Sequence, residues 1–122
     1  MKILRSPDDA IDGLAGYPTE RRRVEIPAGD GGSRSRSSTL RVHFVDTNPD
    51  ADSVVVVLHG NPSWSWIWRR QVEAAVAAGY RAIAPDLVGM GMSDKPSELT
   101  DYTVAGHVEW MRALLVDELG LS

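Results

Sequence analysis

The sequence contains no cysteine in its 122 residues, which excludes disulfide bonds, cysteine-based zinc sites and thiol catalysis. It also lacks long apolar runs. The first 13 residues carry Lys2 and Arg5 but no apolar core of a secretory signal, and no stretch approaches the length of a membrane-spanning helix. Basic residues are outnumbered, and the formal net charge of −4 argues against nucleic acid as the main partner. We therefore expect a cytoplasmic protein that binds neither membranes nor nucleic acid.

The feature that is most prominent in the sequence is an apolar run that ends abruptly in a polar turn. Residues 54–58 are four valines and a leucine, and they are followed by His59, Gly60, Asn61 and Pro62. Such a run predicts a strand that is buried on both faces, as in a parallel sheet. Gly60 permits a tight turn and Pro62 stiffens the exit. Open α/β sheets bind ligands at the carboxyl ends of their strands, so Asn61 lies where chemistry is expected.

The flanking segments predict a mixed sheet. A second strand over residues 80–86 follows a helix over residues 66–78, which makes a βαβ unit. Upstream, residues 23–27 and 40–46 alternate as an antiparallel hairpin. A low-complexity loop of Gly, Ser and Arg, residues 28–38, connects the two strands of this hairpin.

A second predicted helix covers residues 103–119, with Thr103 as its N-cap. Its expected apolar face consists of Val104, Val108, Met111, Leu115 and Leu119. We predict one α/β domain over residues 1–122. Residues 1–22 form an N-terminal arm, and residues 23–122 form a partial sheet with two helices.

Two motifs resemble the front of a haloalkane dehalogenase of the α/β-hydrolase fold: HGNPSWSWIWR at residues 59–69 and APDLVGMGMSDKP at residues 84–96. The His-Gly-x-Pro turn alone indicates only the superfamily. Asn61, the aromatic stretch that ends at Arg69, and the Gly-x-Gly-x-Ser-Asp-Lys-Pro ending narrow the resemblance to the dehalogenases. It covers most of the chain apart from residues 28–38.

The resemblance implies hydrolysis of carbon–halogen bonds through a covalent alkyl-enzyme ester, with no cofactor or metal. Asn61 would hold the halide through its side chain and the oxyanion through its backbone N–H, and the substrate would be a small halogenated, or otherwise apolar, molecule. The sequence contains no nucleophile-elbow motif. In the resembling family the nucleophile strand begins just after a segment like residues 117–122. We therefore expect an N-terminal portion of the fold that lacks the nucleophile, base and acid and is inactive by itself.

Each candidate residue also has a plainer interpretation. Asn61 could merely cap its own turn, and Trp64 could belong to the core rather than line a substrate pocket. His59, directly after a strand, is expected to pack and to hydrogen-bond to the turn, so that with Gly60 and Pro62 it shapes the site.

Three further residues receive structural interpretations. His43 is expected at the surface of the hairpin. His107 is expected beside the apolar face of its helix, at the boundary between core and solvent, and Asp86 is expected to fix the loop after its strand. The three histidines of the sequence, His43, His59 and His107, are too scattered to suggest a metal site.

Other functions remain open at this point. Epoxide hydrolases share the turn but usually carry an aromatic residue at the position of Asn61, and other α/β-hydrolases are further alternatives. A non-catalytic relic or an interaction module is an alternative of a different class.

Overall fold

The computed structural model describes residues 2–29 and 38–121. The strands are β1 (Ile3–Leu4), β2 (Arg21–Pro27), β3 (Thr39–Thr47), β4 (Val54–Val56), β5 (Arg81–Pro85) and β6 (Lys95–Pro96). The α-helices are α1 (Arg69–Ala77) and α2 (Val104–Arg112). Short 3₁₀ helices occupy Ser65–Trp68 and Leu99–Asp101, and a π-helical segment, Ala113–Glu118, continues α2. Of the predicted loop at 28–38, residues 30–37 lie outside the described part of the chain.

Four strands form one mixed sheet in the order β2-β3-β5-β4. β3 pairs antiparallel with β2 and with β5, whereas β4 and β5 are parallel and connected through α1. The predicted hairpin, βαβ unit and α/β class are therefore confirmed. β1, which belongs to the N-terminal arm, pairs with β6 to form a separate two-stranded sheet.

The two faces of the sheet bury two separate cores, because successive residues of a strand point to opposite sides. Phe44 and Ile83 pack on one face against α2 and the π-helical segment. Val45 and Ala84 pack on the other face against α1, together with Tyr17 from the N-terminal arm. The central strand β3 is thus covered on both sides.

The strand that leads to the turn differs from the sequence prediction. Regular pairing covers Val54–Val56 only, and Val54 is 40% exposed rather than buried on both faces. Within residues 2–29 and 38–121, β4 pairs on one side with β5 and lies at the sheet edge. One flank of the valine run is consequently open.

The predicted apolar face of the second helix is confirmed in part. Met111 is buried and Leu115 and Leu119 pack against the same core, whereas Val104 and Val108 are 83% and 60% exposed. Trp110 and Leu114 are buried in addition. The helix changes to a π-helical turn at Ala113–Glu118. Val104 and Val108 precede this segment, so their exposure does not arise from the π-helical turn.

The ends of both helices agree with the sequence. Thr103 caps α2, since its Oγ1 accepts a hydrogen bond of 2.8 Å from the backbone N–H of Gly106. Gly79, with a φ of +91°, follows α1 as the expected left-handed residue.

None of the helices in the described ranges is long and apolar enough to cross a bilayer.

Candidate functional site

The candidate site is the turn formed by residues 59–65, which follows β4 at the carboxyl end of the parallel pair. Asn61 lies at its exposed tip and makes no side-chain hydrogen bond to the described residues. The Asn61–Pro62 peptide bond is cis. Gly60 lies outside the left-handed region, and a Cβ there would meet nothing within 4 Å. A Cβ at position 60 would therefore meet no steric obstacle.

His59 is buried and both of its ring nitrogens are used. Nδ1–H donates to the carbonyl of Gly60 at 2.7 Å, and Nε2 accepts from the backbone N–H of Leu87 at 2.9 Å. Through these bonds His59 connects the turn to the residue that follows Asp86. Because both nitrogens are engaged, the side chain is not available as a general base.

Asp86 is fully buried and lies directly behind the turn. One carboxylate oxygen accepts the backbone N–H of Ser65 at 2.7 Å. The other accepts the backbone N–H of Met92 and Nδ1–H of His43, each at 2.9 Å. Burial alone raises the pKa of Asp86, but these hydrogen bonds outweigh it and hold the pKa below its ordinary value. Asp86 is thus an ionised, fully paired group that is closed to a substrate, as its structural interpretation predicts.

The prediction for His43 is wrong, because this residue is completely buried instead of facing the surface. β3 is flanked by β2 and β5 and covered on both faces, so neither face of the strand reaches solvent. The backbone N–H of His43 also donates to Ser93 Oγ at 3.0 Å, and that hydroxyl donates to the Asp86 carbonyl. His43 and Ser93 are the site-supporting residues that the sequence analysis missed.

Trp64 lines an open cleft of about 440 Å³ between the turn and the N-terminal arm. Ile11, Pro62 and Met92 also line this cleft, whereas Asn61 does not. The indole of Trp64 also contacts the Tyr17 ring, with 5.4 Å between ring centroids. The structure therefore brings Trp64 to an apolar cleft, but not to one that it shares with Asn61.

Tyr17 connects the N-terminal arm to the end of the turn. Its hydroxyl hydrogen-bonds to Ser65 Oγ. Burial is the main reason that the pKa of Tyr17 is raised, and the charge of Asp86 adds to the effect. Tyr17 therefore stays a neutral partner of Ser65 at ordinary pH.

His107 occupies the boundary position that was predicted for it. Its ring makes an edge contact with Trp110 at 5.1 Å between centroids, and burial together with the nearby His59 lowers its pKa. Among residues 2–29 and 38–121, no group of three or more potential metal-binding side chains comes together.

Comparisons with known proteins agree with this architecture. The alpha/beta hydrolase fold family matches residues 53–122. Over all 122 residues the chain is 40% identical to a haloalkane dehalogenase from Mycobacterium marinum and 43% identical to one from Psychrobacter cryohalolentis. It spans only 39% and 38% of the lengths of these relatives.

Solved structures of hydrolases are also similar to this chain, and the chain again covers only part of each. A tetrameric haloalkane dehalogenase from Paraglaciecola agarilytica is similar over the whole chain, with a TM-score of 0.83 and 32% identity, and the chain covers 38% of it. An epoxide hydrolase from Vigna radiata is similar over 84% of the chain, with a TM-score of 0.67 and 34% identity, and 29% of that protein is covered.

Proposed function

The chain belongs to the alpha/beta hydrolase fold family, and on this basis we propose that it is the part of a cytoplasmic haloalkane dehalogenase that carries the halide-stabilising asparagine, Asn61. The supporting observation is the combination of 40% identity to a dehalogenase along the entire chain with an exposed Asn61 at the carboxyl end of β4. Its side-chain amide has no competing partner among the described residues. It is therefore available to a ligand.

In the proposed reaction, an aspartate carboxylate attacks the carbon that bears the halogen. The carbon–halogen bond breaks, its electron pair leaves with the halide, and an alkyl ester forms on the enzyme. Asn61 donates its side-chain N–H to the departing halide, where negative charge develops. Water, deprotonated by a histidine, then hydrolyses the ester, and the backbone N–H of Asn61 supports the oxyanion.

The nucleophile and base would come from the part of the relatives' length that these 122 residues do not span. His59 and Asp86 do not serve in those roles, because their polar atoms are already paired. Trp64 is proposed to line an apolar subsite next to the turn. No cofactor or metal enters the proposed reaction.

The test joins residues 1–122 to the remaining part of the Mycobacterium marinum relative and measures bromide release from 1-bromobutane. Asn61→Asp replaces the N–H donor by a carboxylate of the same size, and we expect single-turnover bromide release to fall by about tenfold or more. Asn48→Asp is the matched control. Asn48 is also an exposed turn asparagine, but it precedes β4 instead of following it, and its amide donates to the Tyr80 carbonyl.

Unchanged bromide release in Asn61→Asp would remove Asn61 from the mechanism. A fused protein that hydrolyses styrene oxide but releases no bromide would favour the alternative of an epoxide hydrolase, to which the 34% identical Vigna radiata structure points. A folded fusion without either activity would favour a non-catalytic relic or an interaction module.

A further inference from the structure

We propose that Asp86 is a positioning residue for Asn61, which it holds in place by clamping the turn that carries it. This inference rests on the proposed function only for the role of Asn61 in the reaction. The clamp itself is a matter of geometry. Asp86 makes no hydrogen bond to Asn61 and does not line the cleft beside Trp64, so it acts through the turn and not on a substrate.

The turn is fastened at its two ends to two consecutive residues. At its start, Nε2 of His59 accepts the backbone N–H of Leu87, and at its end, the backbone N–H of Ser65 donates to the Asp86 carboxylate. Between these two anchors, Asn61 has no side-chain bond of its own to the described residues. Its location is therefore set by where residues 86 and 87 hold the turn.

Asp86 is itself fixed from three directions. Ser65 belongs to the turn, Met92 to the loop after β5, and His43 to the central strand β3, and all three donate to the same carboxylate. A buried carboxylate is tolerated only when such donors satisfy it. The need to keep all three donors satisfied makes the arrangement rigid, because moving the turn would leave a buried charge and a buried N–H short of partners.

Substituting asparagine for Asp86 should release the turn. An amide group keeps one acceptor oxygen but presents an NH₂ group to donors that previously faced the second oxygen. At least one of the N–H groups of Ser65 and Met92 then loses its acceptor. The expected consequence is a mobile turn and a misplaced Asn61 in a protein that still has its sheet.

The first experiment measures amide hydrogen exchange by NMR in the full 122-residue chain for Asp86→Asn and Asp46→Asn. Asp46 is the matched control, since it is also a buried carboxylate, and it accepts its bonds from Arg22 and Arg81 instead of from the turn. We expect both variants to be less stable. Only Asp86→Asn should accelerate exchange at Ser65, at Met92 or at both by about tenfold beyond the acceleration at core amides of β3.

A second pair of variants tests the same bond without changing the carboxylate. Ser65→Pro removes the N–H at the first position of a 3₁₀ helix, after the extended Trp64, where proline is tolerated. Ser65→Ala removes only the hydroxyl that bonds to Tyr17. Ser65→Pro should loosen the turn, seen as faster exchange at Leu87 and Met92, and Ser65→Ala should not. If Asp86→Asn fails to fold, this pair of variants still tests whether the bond between Ser65 and Asp86 holds the turn.

Bromide release by the fused protein separates failure of this inference from failure of the proposed function. Misplacing Asn61 should lower kcat by about tenfold to a hundredfold in Asp86→Asn, with no matching loss in Asp46→Asn. If Asn61→Asp lowers kcat while the two aspartate variants behave alike, the positioning role is wrong. If exchange shows the released turn but Asn61→Asp keeps full activity, the clamp stands and the proposed function fails. If amide exchange in the turn follows the loss of global stability to the same extent in Asp86→Asn and Asp46→Asn, Asp86 does not hold the turn and the inference is wrong.

Discussion

Gly91 shows how a single residue supports the candidate site. It adopts a φ of +56°, and a Cβ at this position would overlap the carboxylate of Asp86. The neighbouring Gly89, at a φ of +94°, would similarly drive a Cβ into the ring of Tyr102. At both glycines of the Gly-x-Gly part of the motif, a side chain would therefore clash with a neighbouring residue. This pair of glycines lets the loop after β5 close on the buried carboxylate.

Gly91→Ala should consequently be much more costly than the same change at another left-handed glycine. We expect it to lower the free energy of unfolding by about 2–4 kcal/mol, from left-handed strain plus overpacking. Gly120→Ala is the control, since Gly120 has a φ of +69° but open space around it, and it should cost about 1 kcal/mol. Denaturant unfolding of both variants checks the difference. Equal losses would show that the Asp86 contact adds nothing.

At the scale of elements, buried carboxylates link segments that are distant in the sequence. Asp94 accepts a bidentate pair of bonds from Arg5 of the arm, at 2.6 Å each, and the backbone N–H of Arg41 on β3. Asp46 accepts from Arg22 on β2 and Arg81 on β5. Burial alone raises the pKa of each carboxyl, but the hydrogen bonds outweigh it and hold both pKa values below the ordinary value.

These links predict that the fold loses stability in acid. A carboxyl whose pKa is lower in the folded state stabilises the protein above its unfolded pKa, and this contribution is lost as the pH falls through the folded pKa. We therefore expect the free energy of unfolding to decrease as the pH drops from about 5 towards 3. Denaturant titrations across this range measure it.

Asp94→Asn should flatten that dependence, and Asp9→Asn, which removes an exposed carboxylate of the arm, should change it much less. An unfolding free energy that is constant or rises towards pH 3 would contradict the assignment of these links.

The elements also show which features could be predicted from the sequence. The β4–α1–β5 unit and the caps at Thr103 and Gly79 follow from local patterns, and they are confirmed. His43 could not be placed, because its burial depends on which strands flank β3, and that is a non-local property. On the second helix, Met111, Leu115 and Leu119 pack on the core as predicted. Val104 and Val108 are exposed, because the part of an apolar stripe that is covered depends on which other elements pack against it, and that is also non-local. In the site, the position of the turn was predictable, but the clamp by Asp86 joins residues 21 and 43 positions apart.

For the molecule as a whole, the open edge of the sheet is the feature with the largest expected consequence. β4 is the edge strand of the described sheet, and it continues into Leu58, which is 47% exposed. An apolar edge strand without charge or proline offers unpaired backbone groups to another chain. We expect the 122-residue chain to self-associate through this edge as its concentration rises.

Val54→Lys places a charge on that edge at a side chain that is already 40% exposed, so it should reduce association at little cost in stability. Val104→Lys is the matched control, because it removes an even more exposed valine from α2 and leaves the edge intact. Sedimentation velocity over a concentration series distinguishes the two. Suppression by Val54→Lys alone would identify β4 as the associating surface. Equal suppression by both variants would point to general surface hydrophobicity, and a parent chain that is monomeric at every concentration would show that the edge is protected.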